Sequence, residues 1–128
     1  MAKSRSSMVL TYPFEMAGNH PLRVWPLRRF LVVDESMRPA LGPGDGLLAI
    51  RAGSVRQGQL RVFPDPRRSS RWLVKRVGEV YGSGRRAVFE ARSDNPRAAG
   101  AADSHEFGPV SAAGSYRVVL RVRPKVGR

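Results

Sequence analysis

Two side chains in this sequence could do chemistry together, Ser36 and Lys75. Ser36 follows Asp34 and Glu35, where the apolar run Phe30-Leu31-Val32-Val33 stops. Beyond it, Pro39, Gly42, Pro43, Gly44 and Gly46 forbid regular structure until Leu47-Leu48-Ala49-Ile50 begins a second run. Loops on a rigid scaffold carry most reactive groups, so a hydroxyl at such a break is well placed to react. The same position also suits a serine that only forms a turn. Lys75 lies in Trp72-Leu73-Val74-Lys75-Arg76-Val77, a run rich in β-favouring residues. Strand side chains alternate faces, which puts Leu73, Lys75 and Val77 on one side and Trp72, Val74 and Arg76 on the other. A lysine bracketed by aliphatic neighbours has two options. Its stem can lie along apolar surface with the ammonium in water, or the amine can be desolvated and act as a base. An ordinary lysine is neutral in only about one molecule in a few thousand at pH 7. Burial can lower its pKa by roughly 3–5 pH units, enough to supply an amine that takes a proton from a serine hydroxyl.

The two residues are 39 positions apart, so tertiary structure must bring them together. The pattern predicts the elements that do so. Leu60-Arg61-Val62-Phe63 alternates apolar and basic, as a half-buried strand does, and Pro64-Asp65-Pro66 ends it. Arg67-Arg68-Ser69-Ser70-Arg71 reads as an exposed basic loop. The lysine run continues to Val80, Gly82-Ser83-Gly84 turns the chain, and Ala87-Val88-Phe89-Glu90-Ala91 returns. Ser93-Asp94-Asn95-Pro96 is a turn by its chemistry. The run from Arg97 to Ala102 has room for one helical turn, weakened by Gly100. Phe107-Gly108-Pro109-Val110 is a rigid turn, and Tyr116–Val122 is the last strand before Pro124.

Composition bounds the rest. The 128 residues suffice for one domain with a modest core, and 41% apolar content argues against disorder. Ten prolines and thirteen glycines favour a loop-rich β fold over a helical bundle. There is no cysteine, which excludes disulfides, thiolate metal sites and cysteine nucleophiles. His20 and His105 have no ligand-like spacing, so no metal and no cofactor are expected. The net charge of +13 favours an anionic partner. The arginines are scattered without an accompanying aromatic pattern, so specific nucleic-acid readout is not expected. Nonspecific adhesion to an anionic surface, including peripheral contact with a membrane, stays open. Residues 1–26 read as an N-terminal extension and 27–128 as the domain. Met8–Tyr12 is apolar but too short for a signal-peptide core, and no stretch approaches the ~20 apolar residues of a membrane span. A cytoplasmic protein without a transmembrane anchor is expected.

Several blocks occur in order: Ser36-Met37-Arg38-Pro39-Ala40-Leu41, Pro43-Gly44-Asp45, Val74-Lys75-Arg76-Val77, Asp94-Asn95-Pro96, Asp103-Ser104 and Phe107-Gly108-Pro109-Val110. Together they resemble the signal peptidase I family of serine/lysine endopeptidases over roughly Phe30 to Pro124. Within it, the chain is most similar to small anchorless members such as nickel-type superoxide dismutase maturation proteases. The resemblance implies a mainly β, single domain of coiled antiparallel sheets with little helix, the catalytic fold shared with SOS-repressor proteases. It implies Ser36 as nucleophile and Lys75 as general base. The oxyanion and substrate side falls to Ser36, Met37 and Asp34. Pro39, Gly44, Asp45, Asp94, Asn95, Asp103 and Ser104 are the supporting residues, the Asp103-Ser104 pair packing behind the lysine. The implied partner is a precursor protein or extended peptide with small side chains before the cut.

The chain departs from the family pattern at identifiable places. Asp34 stands where relatives carry glycine, serine or threonine, and a carboxylate pointing inward there opposes a developing negative charge. Ser93 replaces a glycine, and the loop from Asn95 to Asp103 is about two residues longer. Ala101 replaces a serine that bonds the lysine, and His105 replaces an arginine. These changes leave three functional readings: an active endopeptidase, a catalytically degenerate peptide-binding relative, or a basic adhesion module. A self-cleaving repressor-type protease is less favoured, because no cleavage segment stands out before Ser36.

Overall fold

The computed structural model describes residues 8–12, 27–51, 54–98 and 101–124, with backbone only for 8–12. The described chain is mainly β, as expected. Its strands are β1 (Met8–Tyr12), β2 (Leu27–Val32), β3 (Gly46–Ile50), β4 (Leu60–Asp65), β5 (Arg68–Tyr81), β6 (Val88–Arg92), β7 (Val110–Ser111) and β8 (Tyr116–Val122). One four-residue helix, α1 (Ser104–Phe107), lies between β6 and β7.

The strands pair antiparallel in the order β1-β2-β3-β8-β4-β5-β6-β7, and β5 also pairs with β1. That extra pairing closes β1, β2, β3, β8, β4 and β5 into a barrel, from which β6 and β7 extend along the second half of β5. Residues 8–12 are thus the closing strand, although they fall inside the stretch read as an extension. β5 is 14 residues long and does two jobs. Its first half pairs with β4 through Arg76, and its second half leaves the barrel to pair with β6, from Arg76 opposite Arg92 to Tyr81 opposite Val88.

The alternation read for β5 is what the packing uses. Val74 and, partly buried, Trp72 join the core of Phe30, Val32, Met37, Leu41, Leu47, Val62 and Tyr116. Leu73 and Val77 join a second core with Phe63, Phe89, Ala91 and Val110. Ring contacts tie each core, with Phe30, Trp72 and Tyr116 in one and Phe63, Phe89 and Phe107 in the other. Each fully buried phenylalanine contributes about 1.5–3 kcal/mol. Lys75 shares the Leu73 and Val77 face and is 0% exposed.

Three local expectations are corrected. The basic loop is a tight hairpin, because strand pairing runs on to Asp65 opposite Arg68 after a bulge at Pro64. A bulge is one of the few places where a strand tolerates proline. The buried Asp65 carboxylate ties the turn by accepting from the Arg67 N–H (2.8 Å) and from the Arg67 and Arg71 guanidinium groups. Second, Arg61 is buried rather than solvent-facing, because β4 lies between β5 and β8. It donates to Gln59 Oε1, Ser115 Oγ and the Ser54 carbonyl. Third, the helical turn falls on Ser104–Phe107, past the alanines. Asp103 caps it by accepting the His105 N–H, a stronger start signal than alanine propensity. Gly108, at φ 84°, ends it where a side chain would be strained. Ala99 and Gly100 of the alanine run lie outside the described residues.

Candidate active site

Ser36 sits in the loop joining β2 to β3, and backbone bonds close that loop. Val32 N–H reaches the Asp45 carbonyl (2.9 Å), and Gly44 N–H reaches the Val32 carbonyl (2.8 Å). Gly44 has φ 94°, so the closure needs a residue without a Cβ penalty. The Asp45 carboxylate is buried and accepts the Gly42 N–H at 3.0 Å. Met37 and Leu41, each 1% exposed, pin the loop to the first core. The Met37 side chain, from the residue expected on the oxyanion and substrate side, anchors the loop from inside. Pro39 is exposed in the turn that follows.

A second loop clamps the first. The Asn95 N–H donates to the Ser36 carbonyl (2.8 Å) and its side-chain amide to the Glu35 carbonyl (3.0 Å). Asp94 pairs with Arg76 of β5 (2.7 Å), and its N–H faces the Met37 sulfur (3.4 Å). The register of β5 with β6 therefore sets where Ser36 lies relative to Lys75.

The lysine amine is 3.4 Å from the Ser36 hydroxyl oxygen and donates to it. That contact is at the long end of the hydrogen-bonding range. The same amine donates to Ser93 Oγ at 2.5 Å. Sequence reasoning noted Ser93 only as a substitution for glycine and looked to Ala101 for the missing hydroxyl. The structure supplies the hydroxyl from the end of β6. The clue was available as a pair: a serine gained at 93 and a serine lost at 101. Asp103 accepts the Ser93 N–H (3.1 Å), so it reaches the lysine through Ser93. It also accepts from the His105 N–H and faces His105 Nδ1, each at 3.0 Å. Ser104 Oγ accepts the Ala91 N–H (2.7 Å) and donates to the Gly108 carbonyl (2.8 Å), which docks α1 on β6.

Burial is the largest influence on Lys75 and brings its pKa from 10.5 to about 8. The Asp34, Asp103 and Glu106 charges act the other way, and Arg67 adds to the depression. At about 8, roughly one molecule in ten is neutral at pH 7, against one in a few thousand for a solvated lysine. Asp34 points inward. One of its oxygens accepts both the Ser36 hydroxyl (3.1 Å) and the Ser36 N–H (3.2 Å). A carboxylate can only accept, so in this arrangement the serine proton faces Asp34 and the lysine proton faces the serine.

A cavity of about 540 Å³ opens elsewhere, lined by Arg51, Ser54, Gly84, Arg85 and Ser115 among others, and includes neither dyad residue. Among the described residues, no group of three or more histidine, aspartate or glutamate side chains could hold a metal ion. No helix among them is long and apolar enough to cross a membrane. No family model matches the chain, and searches of curated proteins and of solved structures find no match either.

Proposed function

We propose that this protein is a serine endopeptidase that processes a precursor protein through a Ser36–Lys75 dyad and an acyl-enzyme. The observation that carries the reading is Lys75. It is fully buried, holds a pKa of about 8 and has its amine 3.4 Å from the Ser36 hydroxyl oxygen. A buried lysine without a task would be costly to keep, and a base near the working pH is what serine activation needs. The resemblance to signal peptidase I in the blocks around both residues supports the same assignment.

In the proposed reaction, neutral Lys75 takes the hydroxyl proton as Ser36 Oγ bonds to a peptide carbonyl carbon. The carbon–nitrogen bond breaks, and Lys75 returns the proton to the departing amine. Lys75 then takes a proton from water, and hydroxide attack releases the acid and restores Ser36. The Ser36 N–H, which Asp34 holds in this structure, is the donor assigned to the carbonyl oxygen as it becomes negative. Ser93 keeps the amine on target as it cycles between charge states. The proposal includes a cytoplasmic enzyme, and the +13 charge supports peripheral contact with anionic membrane.

A second reading, a peptide-binding relative without activity, is favoured by Asp34, which occupies the Ser36 N–H. N-terminal profiling of a lysate incubated with the protein separates the two. New N-termini made by the wild type, and absent with Ser36→Ala and Lys75→Ala, establish the peptidase and reveal its substrates. Cleavage that survives Ser36→Ala refutes the dyad. Synthetic peptides spanning those sites then test whether small residues precede the cut.

A further inference from the structure

We propose that Asp34 is a resting-state latch on the nucleophile, a self-inhibitory carboxylate that must leave the Ser36 N–H before acyl transfer. The inference rests on the dyad reading and adds a regulation of that site which neither the dyad nor the family resemblance contains. Two hydrogen bonds carry it. The carboxylate oxygen that accepts the Ser36 N–H (3.2 Å) occupies the one donor identified for a developing oxyanion. The same oxygen accepts the hydroxyl (3.1 Å), so the proton that Lys75 must remove is turned away from it. The latch thus blocks both halves of the reaction with one group.

Opening moves the side chain away from the Ser36 N–H. Asp34 lies half-buried in the β2–β3 loop, two residues past the end of β2 and two before Ser36. A χ1 rotation moves the carboxylate without moving Ser36, whose backbone is held by Asn95. Asp34 also strengthens the charged form of Lys75. The charges that face that amine come from the β2–β3 loop (Asp34), the α1 segment (Asp103, Glu106) and the β4–β5 turn (Arg67). Removing Asp34 therefore frees the donor, frees the proton and favours the neutral amine together.

The test measures Ser36 reactivity without a known substrate, using an alkyl fluorophosphonate. In that reaction the Ser36 oxygen bonds to phosphorus, the phosphorus–fluorine bond breaks, fluoride leaves, and Lys75 takes the proton. The phosphoryl oxygen uses the same Ser36 N–H. Asp34→Ser and Asp34→Asn are expected to label at least tenfold faster than wild type at pH 7, at Ser36 by peptide mapping, with Ser36→Ala unlabelled. In parallel, NMR titration of Lys75 is expected to show a lower midpoint in Asp34→Ser. Labelling of both variants at or below the wild-type rate overturns the latch and leaves the dyad standing. An unmoved Lys75 midpoint in folded Asp34→Ser also counts against it. No labelling of Ser36 in any variant removes the dyad reading and the latch with it.

Discussion

The buried base makes a prediction about stability that needs no substrate. Each pKa unit corresponds to about 1.4 kcal/mol, so carrying Lys75 from 10.5 in the unfolded chain to about 8 costs the folded protein about 3 kcal/mol at pH 7. The sign follows from proton counting. Between about 8 and 10.5 the unfolded chain binds more protons at this site than the folded one, so stability rises with pH there. Below about 8 the whole cost is present, and above 10.5 it is gone. Lys75→Met keeps the stem and removes the titration. It also takes a donor from Ser93 and Ser36, which offsets the gain by about 1 kcal/mol for each hydrogen bond. The variant is therefore expected to be more stable than wild type at pH 7 by about 1–3 kcal/mol. That advantage should shrink by about 3 kcal/mol on going to pH 10.5. Urea unfolding of both proteins at half-unit steps from pH 6 to 10.5 measures it, since other groups cancel in the difference. A pH-independent difference would mean that Lys75 titrates as a solvated lysine, and the argument for a base would fail.

Other outcomes follow from the same geometry. The rate of the proposed peptidase should rise about tenfold per pH unit below about 8 and level off above it, because the proposed mechanism uses only neutral Lys75; a rate that falls over that range contradicts the mechanism. Ser93→Ala should lower kcat about 10- to 100-fold with little change in KM and move the midpoint of the pH–rate profile, whereas a purely structural role would leave that midpoint in place. Asp45→Ala leaves the buried Gly42 N–H unsatisfied and should cost about 1–3 kcal/mol in thermal unfolding. Asp65→Ala uncouples the Arg67 and Arg71 contacts at the β4–β5 turn. It should destabilise the protein by a few kcal/mol at neutral pH. The folded carboxyl is held below its ordinary range by the arginines, so that stabilisation is lost as pH falls through the folded value.

What the sequence revealed divides by distance along the chain. The faces of β5 were legible because alternation is local, and Lys75 falls between Leu73 and Val77 as read. The partnership of Ser36 and Lys75 spans 39 positions and came from the resemblance, since no local rule pairs them. Ser93 was hidden because its contact depends on the β5–β6 register, which a bulge between Val77 and Val80 shifts. Arg61 was misread because alternation predicts which residues share a face but not whether that face is covered. Asp34 was recognised as a hazard, but its inward direction is set by the fold of the β2–β3 loop, which no local pattern shows.

The order of the strands also bears on when this protein becomes reactive. β8, the last strand in chain order, lies between β3 and β4, so the barrel closes only after the chain has been made through Val122. Until then Tyr116 is missing from the core that holds Met37 and Leu41, the two residues that pin the Ser36 loop. A chain still emerging from the ribosome, or cut short before Tyr116, carries the serine and the lysine without the completed scaffold that sets their distance. The proposed pair is thus finished by the last strand to be made, not by the segments that carry it.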